Sequence, residues 1–175
     1  MTDAGAASIH ATAVLVGNRA VLIRGPSGAG KSRLAFDLIL AGRAGQIPEA
    51  VLVGDDRVHL DTCDGQLVVR PVRQLAGLIE IRGLGIRRCA FAKEAIVGLV
   101  IDLSAEDAER LPAPEKLQSC ISGVKLPRIP VGARYPPLPL VVAALTTTAG
   151  SVSTQSPADC LKGIGNHMRP SIATE

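Results

Sequence analysis

Gly25-Pro-Ser-Gly-Ala-Gly-Lys-Ser32 fits the pattern G-x-x-x-x-G-K-[ST], in which each fixed position answers a chemical need. Glycines let successive backbone N–H groups turn inward around phosphate oxygens, Lys31 reaches the outer phosphates, and the Ser32 hydroxyl can ligand Mg²⁺. Gly25, Pro26, Ser27, Gly28, Ala29, Gly30, Lys31 and Ser32 are therefore the candidate nucleotide-binding residues. A chance match in a chain of this length is expected at roughly the one per cent level, which sets aside a plain Gly-rich turn. Phosphoryl transfer on such a cradle needs a metal held against the phosphates, a group that orients or deprotonates the nucleophile, and positive charge for the transition state. Asp55-Asp56 is a candidate for the first two roles, because adjacent carboxylates are most easily held ionised beside a cation. Glu80 stands among Leu78, Ile79 and Ile81, as an edge-strand surface residue or as a further acid; its neighbours leave both open. His10 lies near the phosphate loop but a lone histidine carries little weight, His59 and His167 carry none, and Arg110 and Arg134 read as solvated charges.

These residues must be positioned by the segments around them. Residues 8–16, the Gly17-Asn18 turn and residues 19–24 read as two short strands joined tightly, the second feeding the loop. From Lys31 the spacing of Leu34, Leu38 and Ile39 predicts a helix with Gly42 as its C-cap. Ala50-Val-Leu-Val53 predicts a buried strand that presents Asp55-Asp56 at its carboxyl end, beside the strand that leads into the loop. Residues 58–60 and 66–70 read as strands around an Asp64-Gly65 turn, and residues 77–82 as a strand broken by Gly83-Leu-Gly85. Residues 95–103 read as an apolar strand ending at Asp102. Ser104-Ala-Glu-Asp107 resembles a capping box and predicts a short helix through Leu111. Residues 125–134 read as strand plus loop, and residues 138–148 as a closing helix. The organisation expected is one domain over residues 1–150 and a loose polar tail over 151–175.

A chain of 175 residues with 47% apolar content can bury a full core, and with no Trp, one Tyr and two Phe that core must be aliphatic. This favours an α/β fold, a mixed β-sheet flanked by helices. The net charge of +3 is mild and the basic residues are scattered, so nucleic acid is not an expected partner. Cys63, Cys89, Cys120 and Cys160 lack metal-site spacing and are expected to be reduced and mostly buried. No leader pattern and no apolar run of membrane-spanning length is evident, so a soluble cytoplasmic protein is expected.

Four stretches in order resemble the catalytic domain of HPr kinase/phosphorylase: Ser8-Ile-His10, the phosphate loop, Leu52-Val-Gly-Asp-Asp-Arg-Val58, and Ile79-Glu-Ile-Arg-Gly-Leu-Gly-Ile86. The last looks like that family's signature, and the resemblance spans about residues 8–147. It implies a P-loop kinase domain similar to that of phosphoenolpyruvate carboxykinase, using ATP and Mg²⁺ to phosphorylate a serine of HPr, the phosphocarrier of the sugar phosphotransferase system. It also implies phosphorolysis of the product and hexameric assembly. By the same resemblance Lys31 binds the phosphates, Ser32 and Glu80 hold Mg²⁺, and Asp56 is the base, supported by Asp55 and His10. Arg110-Leu111 matches the short motif that carries the family's later catalytic arginine.

The chain also departs from the pattern. Ile129-Pro-Val-Gly-Ala-Arg134 resembles the family's Pro-Val-Arg-Pro-Gly-Arg-Asn loop, tied to dephosphorylation, with most polar residues missing. Arg33 stands where Glu often follows Lys-Ser. Only a handful of residues precede the first strand where full-length members carry a further domain, so regulation through that domain is not expected. A small-molecule kinase on the same scaffold, and a nucleotide-sensing module that transfers nothing, are the alternatives the residues leave open.

Overall fold

Ala20-Val-Leu-Ile23 is apolar on both faces, as a strand buried on both sides must be, and in the computed structural model, which describes residues 7–150, it lies at the centre of a mixed sheet. In chain order the elements are β1 (Ser8–His10), β2 (Thr12–Val16), β3 (Arg19–Arg24), α1 (Lys31–Arg43), β4 (Ala50–Gly54), β5 (Arg57–Cys63), β6 (Gln66–Pro71), β7 (Leu78–Ile81), β8 (Gly85–Arg88), β9 (Ala95–Leu103), β10 (Gln118–Ile121), β11 (Val124–Val131) and α2 (Pro137–Thr146). The main sheet has nine strands in the path β1-β5-β6-β9-β3-β2-β4, with β11 and then β10 added beside β9. The β3–β9 and β9–β11 pairs are parallel; the other pairs are antiparallel. β7 and β8 form a separate hairpin.

Period-two alternation divides the core. Val21 and Ile23 of β3 face one cluster with Leu34 and Leu38 of α1 and Val141 of α2, whereas Ala20 and Leu22 face a second with Val58 of β5 and Leu67 and Val69 of β6. The expected mixed sheet with flanking helices is thus present. Both helices pack on one cluster, and the sheet's own antiparallel strands fill the other.

Several local expectations change. Residues 8–16 are two strands, because β1 pairs with β5 while β2 pairs with β3 and β4, and fully buried Ala11 marks the change of partner. The helix continues through Gly42 to Arg43 and is closed off by Gly45, whose φ of 70° allows Gly45 N–H to bond Gly42 C=O and Gln46 N–H to bond Ala41 C=O, a Schellman end. Gly42 is needed for clearance: a Cβ there would sit 2.8 Å from the Ala50 backbone nitrogen of β4. No helix forms over 104–111. Ser104 has φ 57°, outside the extended range an N-cap adopts, and the Asp107 carboxylate that would complete a capping box is taken by Arg128. Cys63 and Cys120 are exposed, since they lie at a hairpin end and on an edge strand; Cys89 is half-buried. The polar segment 151–175, with Cys160 and His167, lies outside the described residues. Among the described residues no helix is long and apolar enough to cross a membrane.

Candidate active site

Strand β3 delivers the chain directly into Gly25. Gly25 has φ 149°, and a Cβ there would stand 3.0 Å from both the Cβ and the carbonyl oxygen of Leu103, so the loop begins pressed against the end of β9. Gly28 and Gly30 have φ 80° and 95° and open space beside them. Gly30 caps α1 in the left-handed conformation without a side-chain cap, so the first-turn N–H groups keep the orphan donors and partial positive charge that suit an anion. Lys31 is only 6% exposed and its Nζ donates to the carbonyls of Gly25 (3.0 Å) and Pro26 (3.1 Å), folded back over the loop. Burial pushes the Lys31 ammonium below its ordinary value, against the pull of Asp55 and then Asp56.

The strand that carries the paired carboxylates is not adjacent to β3, as the sequence suggests. β2 runs antiparallel between β3 and β4, so the carboxyl ends of β3 and β4 meet at one sheet edge with the start of β2 between them. Asp55 consequently reaches the loop from one strand farther away. It is 4% exposed, and its Oδ1 accepts from Ser32 Oγ at 2.8 Å and Thr12 Oγ1 at 2.7 Å, while Oδ2 accepts from the Glu80 N–H at 3.0 Å. Thr12 is fully buried and had no signal in the sequence, where it is one β-branched residue between two alanines. Glu80 enters the site through its backbone, and its side chain lies on the exposed face of β7.

Asp56 behaves differently from its neighbour. The Arg57 N–H bonds the Asp55 carbonyl at 2.8 Å around Asp56 at φ 65°, a three-residue turn of the γ type that an L-residue adopts at some cost. That turn points Asp56 outward, where its side chain is 65% exposed and its Oδ1 lies 3.4 Å from His10 Nε2. His10 is held opposite by the pairing of β1 with β5, reinforced by Arg57, which donates to the Ser8 hydroxyl and carbonyl. Arg33 does not enter this cluster; it pairs along the helix surface with Asp37 at 3.7 Å.

On the other side of the loop, Arg24 and Asp102 face each other in the β3–β9 register and form a bidentate pair, Nε–Oδ1 2.7 Å and Nη2–Oδ2 2.8 Å. Arg128 of β11 donates to the same carboxylate at 2.5 Å. Burial alone would raise the Asp102 carboxyl, but the hydrogen bonds and charges of Arg24 and Arg128 hold it below the usual range. A carboxyl lowered in the folded state contributes stability above its unfolded value, about pH 4, and that contribution is lost as pH falls through the lower folded value. We expect the difference in urea midpoint between wild type and Asp102→Asn to be constant above about pH 5 and to shrink below about pH 4. A difference independent of pH down to acid unfolding would contradict this assignment. Arg24 and Asp102 were detectable in principle as charges closing apolar strands at the ligand-binding edge. Arg110 and Arg134 lie exposed in the loops after β9 and β11, and neither makes a hydrogen bond or ion pair among the described residues.

Residues 3–136 match the profile of the HPr serine kinase C-terminal domain. The chain belongs to that family. It is 41% identical over 78 residues to an HPr kinase/phosphorylase of Clostridium beijerinckii, covering 45% of this chain and 24% of that protein. It is 44% identical over 80 residues to the HPr kinase/phosphorylase of Enterococcus faecalis, with the same shares of 45% and 24%. The matched stretch thus spans about a quarter of the length of these curated relatives. The solved structure of the Hpr(Ser) kinase/phosphatase from Coxiella burnetii superposes with a TM-score of 0.62 at 28% identity, over 79% of this chain and 93% of that one. The α/β fold is therefore that of the HPr serine kinase C-terminal domain.

The residues present fit the groups such a domain would hold. The uncapped start of α1 and the open glycine loop fit a polyphosphate. Mg²⁺ usually takes few protein oxygens beside substrate phosphates and water, and the Ser32 hydroxyl, backed by Asp55 at 2.8 Å, is an oxygen of the kind that would suit it. Among the described residues no three His, Cys, Asp or Glu side chains form a metal cluster.

Proposed function

We propose that this protein is an ATP- and Mg²⁺-dependent kinase that phosphorylates a serine of HPr or an HPr-like phosphocarrier protein. The observation that carries the reading is the division of labour at residues 55 and 56: a buried carboxylate tied to the phosphate loop beside an exposed one that faces His10. In a family whose curated relatives are named HPr kinase/phosphorylase, that division supplies both a loop-ordering acid and a free base.

The loop amides and the start of α1 bind and orient the phosphates, and Lys31 exchanges its two carbonyl partners for phosphate oxygens. Ser32, with the Glu80 carboxylate, would hold Mg²⁺, which when bound would supply charge neutralisation for phosphoryl transfer. Asp55 accepts a hydrogen bond from Ser32 Oγ, which commits the hydroxyl proton to Asp55 and leaves the oxygen's lone pairs available to a cation. Asp56 accepts the proton of the substrate serine at its carboxylate, with His10 beside Oδ1 to orient it; in the reverse direction it returns that proton. Arg110, on the loop that leaves the same sheet edge, supplies positive charge for the transition state.

Incubation with γ-labelled ATP, Mg²⁺ and purified HPr tests the reading. Label on an HPr serine, lost with Lys31→Ala and with chelator, is the expected result. Nucleotide binding without transfer to HPr would favour the sensing module, and transfer to a small hydroxylated metabolite instead would favour the small-molecule kinase.

A further inference from the structure

The segment between β9 and β10 carries Arg110, yet it has little of its own to hold it in place. Over residues 104–113 there is no helix or strand, Leu111 is 85% exposed, and the backbone is anchored by Ala105 N–H to the Val131 carbonyl at 2.9 Å and a longer turn bond at Ala108. What holds it is a chain of charged side chains. Arg128, 14% exposed, sends Nε to Asp102, Nη1 to Asp107 Oδ2 at 2.7 Å, Nη2 to Asp107 Oδ1 at 3.0 Å, and Nη1 also to the Lys116 carbonyl at 3.0 Å. Lys116 in turn pairs with Glu109, the residue before Arg110. At the other end Asp102 grips Arg24, the residue before Gly25. One path of charged side chains, passing through the Lys116 backbone carbonyl, therefore connects the root of the phosphate loop to the neighbour of Arg110.

We propose that Arg128 is a positioning residue, which with Asp102 and Asp107 fixes the 104–113 segment, and with it Arg110, relative to the phosphate loop. The proposal rests on the reading of Arg110 given above. Isolated surface ion pairs hold little, but here one planar guanidinium serves two carboxylates and a carbonyl from three parts of the chain. Lysine, a single compact charge, cannot reproduce that fork. The path does not pass through Lys31, Ser32 or Asp55, so its loss should spare nucleotide binding while misplacing the charge that acts on transfer.

Arg128→Lys and Arg128→Met, with Asp107→Asn as a milder variant that removes one carboxylate's charge and one of its two acceptor oxygens, test this. Amides of residues 104–113 are expected to exchange hydrogen faster in each variant while those of β3 remain protected. The transfer rate to HPr is expected to fall on the order of tenfold to a hundredfold, with nucleotide affinity changed by no more than about twofold. Arg110→Ala should cost clearly less in the Arg128→Met background than in wild type, because the charge it removes is already out of place. Unchanged exchange over 104–113, or equal cost of Arg110→Ala in both backgrounds, overturns the proposal. If wild type transfers nothing to HPr, the functional reading fails, and the exchange measurement still decides whether Arg128 organises the segment. Should Arg128→Met not fold, Asp107→Asn carries the same exchange comparison.

Discussion

Asp56→Asn is expected to lower the single-turnover rate of phosphate transfer to HPr by about 10²–10⁴-fold, the range a general base contributes. Nucleotide affinity should stay within about twofold of wild type, because Asp56 makes no hydrogen bond to the loop over residues 25–32 and is the lesser of the two carboxylates acting on Lys31. The substitution is close to isosteric, and asparagine tolerates positive φ, so the turn at φ 65° should survive and the loss can be assigned to proton acceptance. His10→Ala should give a smaller loss in the same direction, since it removes the partner at 3.4 Å and leaves the base. Full transfer by Asp56→Asn would remove Asp56 from the reaction. A rate loss accompanied by an equal loss of nucleotide affinity would make its role structural.

Asp55→Ala should be the most damaging change to the site as a structure. It leaves the Ser32 and Thr12 hydroxyls and the Glu80 N–H without their acceptor in a place that is 4% exposed. Orphaning a buried donor costs about 1–3 kcal/mol; partial access of water to the Ser32 side suggests a total of about 3 kcal/mol rather than the full sum. Urea denaturation should register that loss. Titration with a fluorescent nucleotide should show that Mg²⁺ no longer tightens binding, because Ser32 has lost the group that orients its hydroxyl. Asp55→Asn keeps an acceptor oxygen and should be milder on stability. An Asp55→Ala protein as stable as wild type and still responsive to Mg²⁺ would show that the triple hydrogen bond organises nothing.

Much of this site is legible in the amino-acid order because its chemistry is local. A phosphate cradle needs consecutive residues, so Gly25 to Ser32 carries its own geometry, and a type of turn with two positive φ angles is announced by Asp64-Gly65. The stretch around Glu80 meets Asp55 by a route no side-chain pattern states, since what it delivers is a backbone N–H, a group that every non-proline residue has. The helix expected over 104–111 fails for the complementary reason. Its capping pattern is a local competitor, and Asp107 finds a stronger, charge-assisted partner in Arg128, distant in sequence and brought near by the pairing of β11 with β9.

The residue order by itself establishes that a P-loop, two neighbouring carboxylates and an aliphatic α/β core belong to one chain, because periodicity and spacing encode which residues are buried and which backbone turns are possible. The placing of β2 between β3 and β4 belongs to the tertiary structure, and it brings Thr12 to Asp55. So does the meeting of β3, β9 and β11, which joins Arg24, Asp102 and Arg128. Strand order depends on which edges pair across long stretches of chain, and no local pattern states that choice. It also separates Asp55 from Asp56, since one residue turned through positive φ sends one carboxylate into the protein and its neighbour out to solvent.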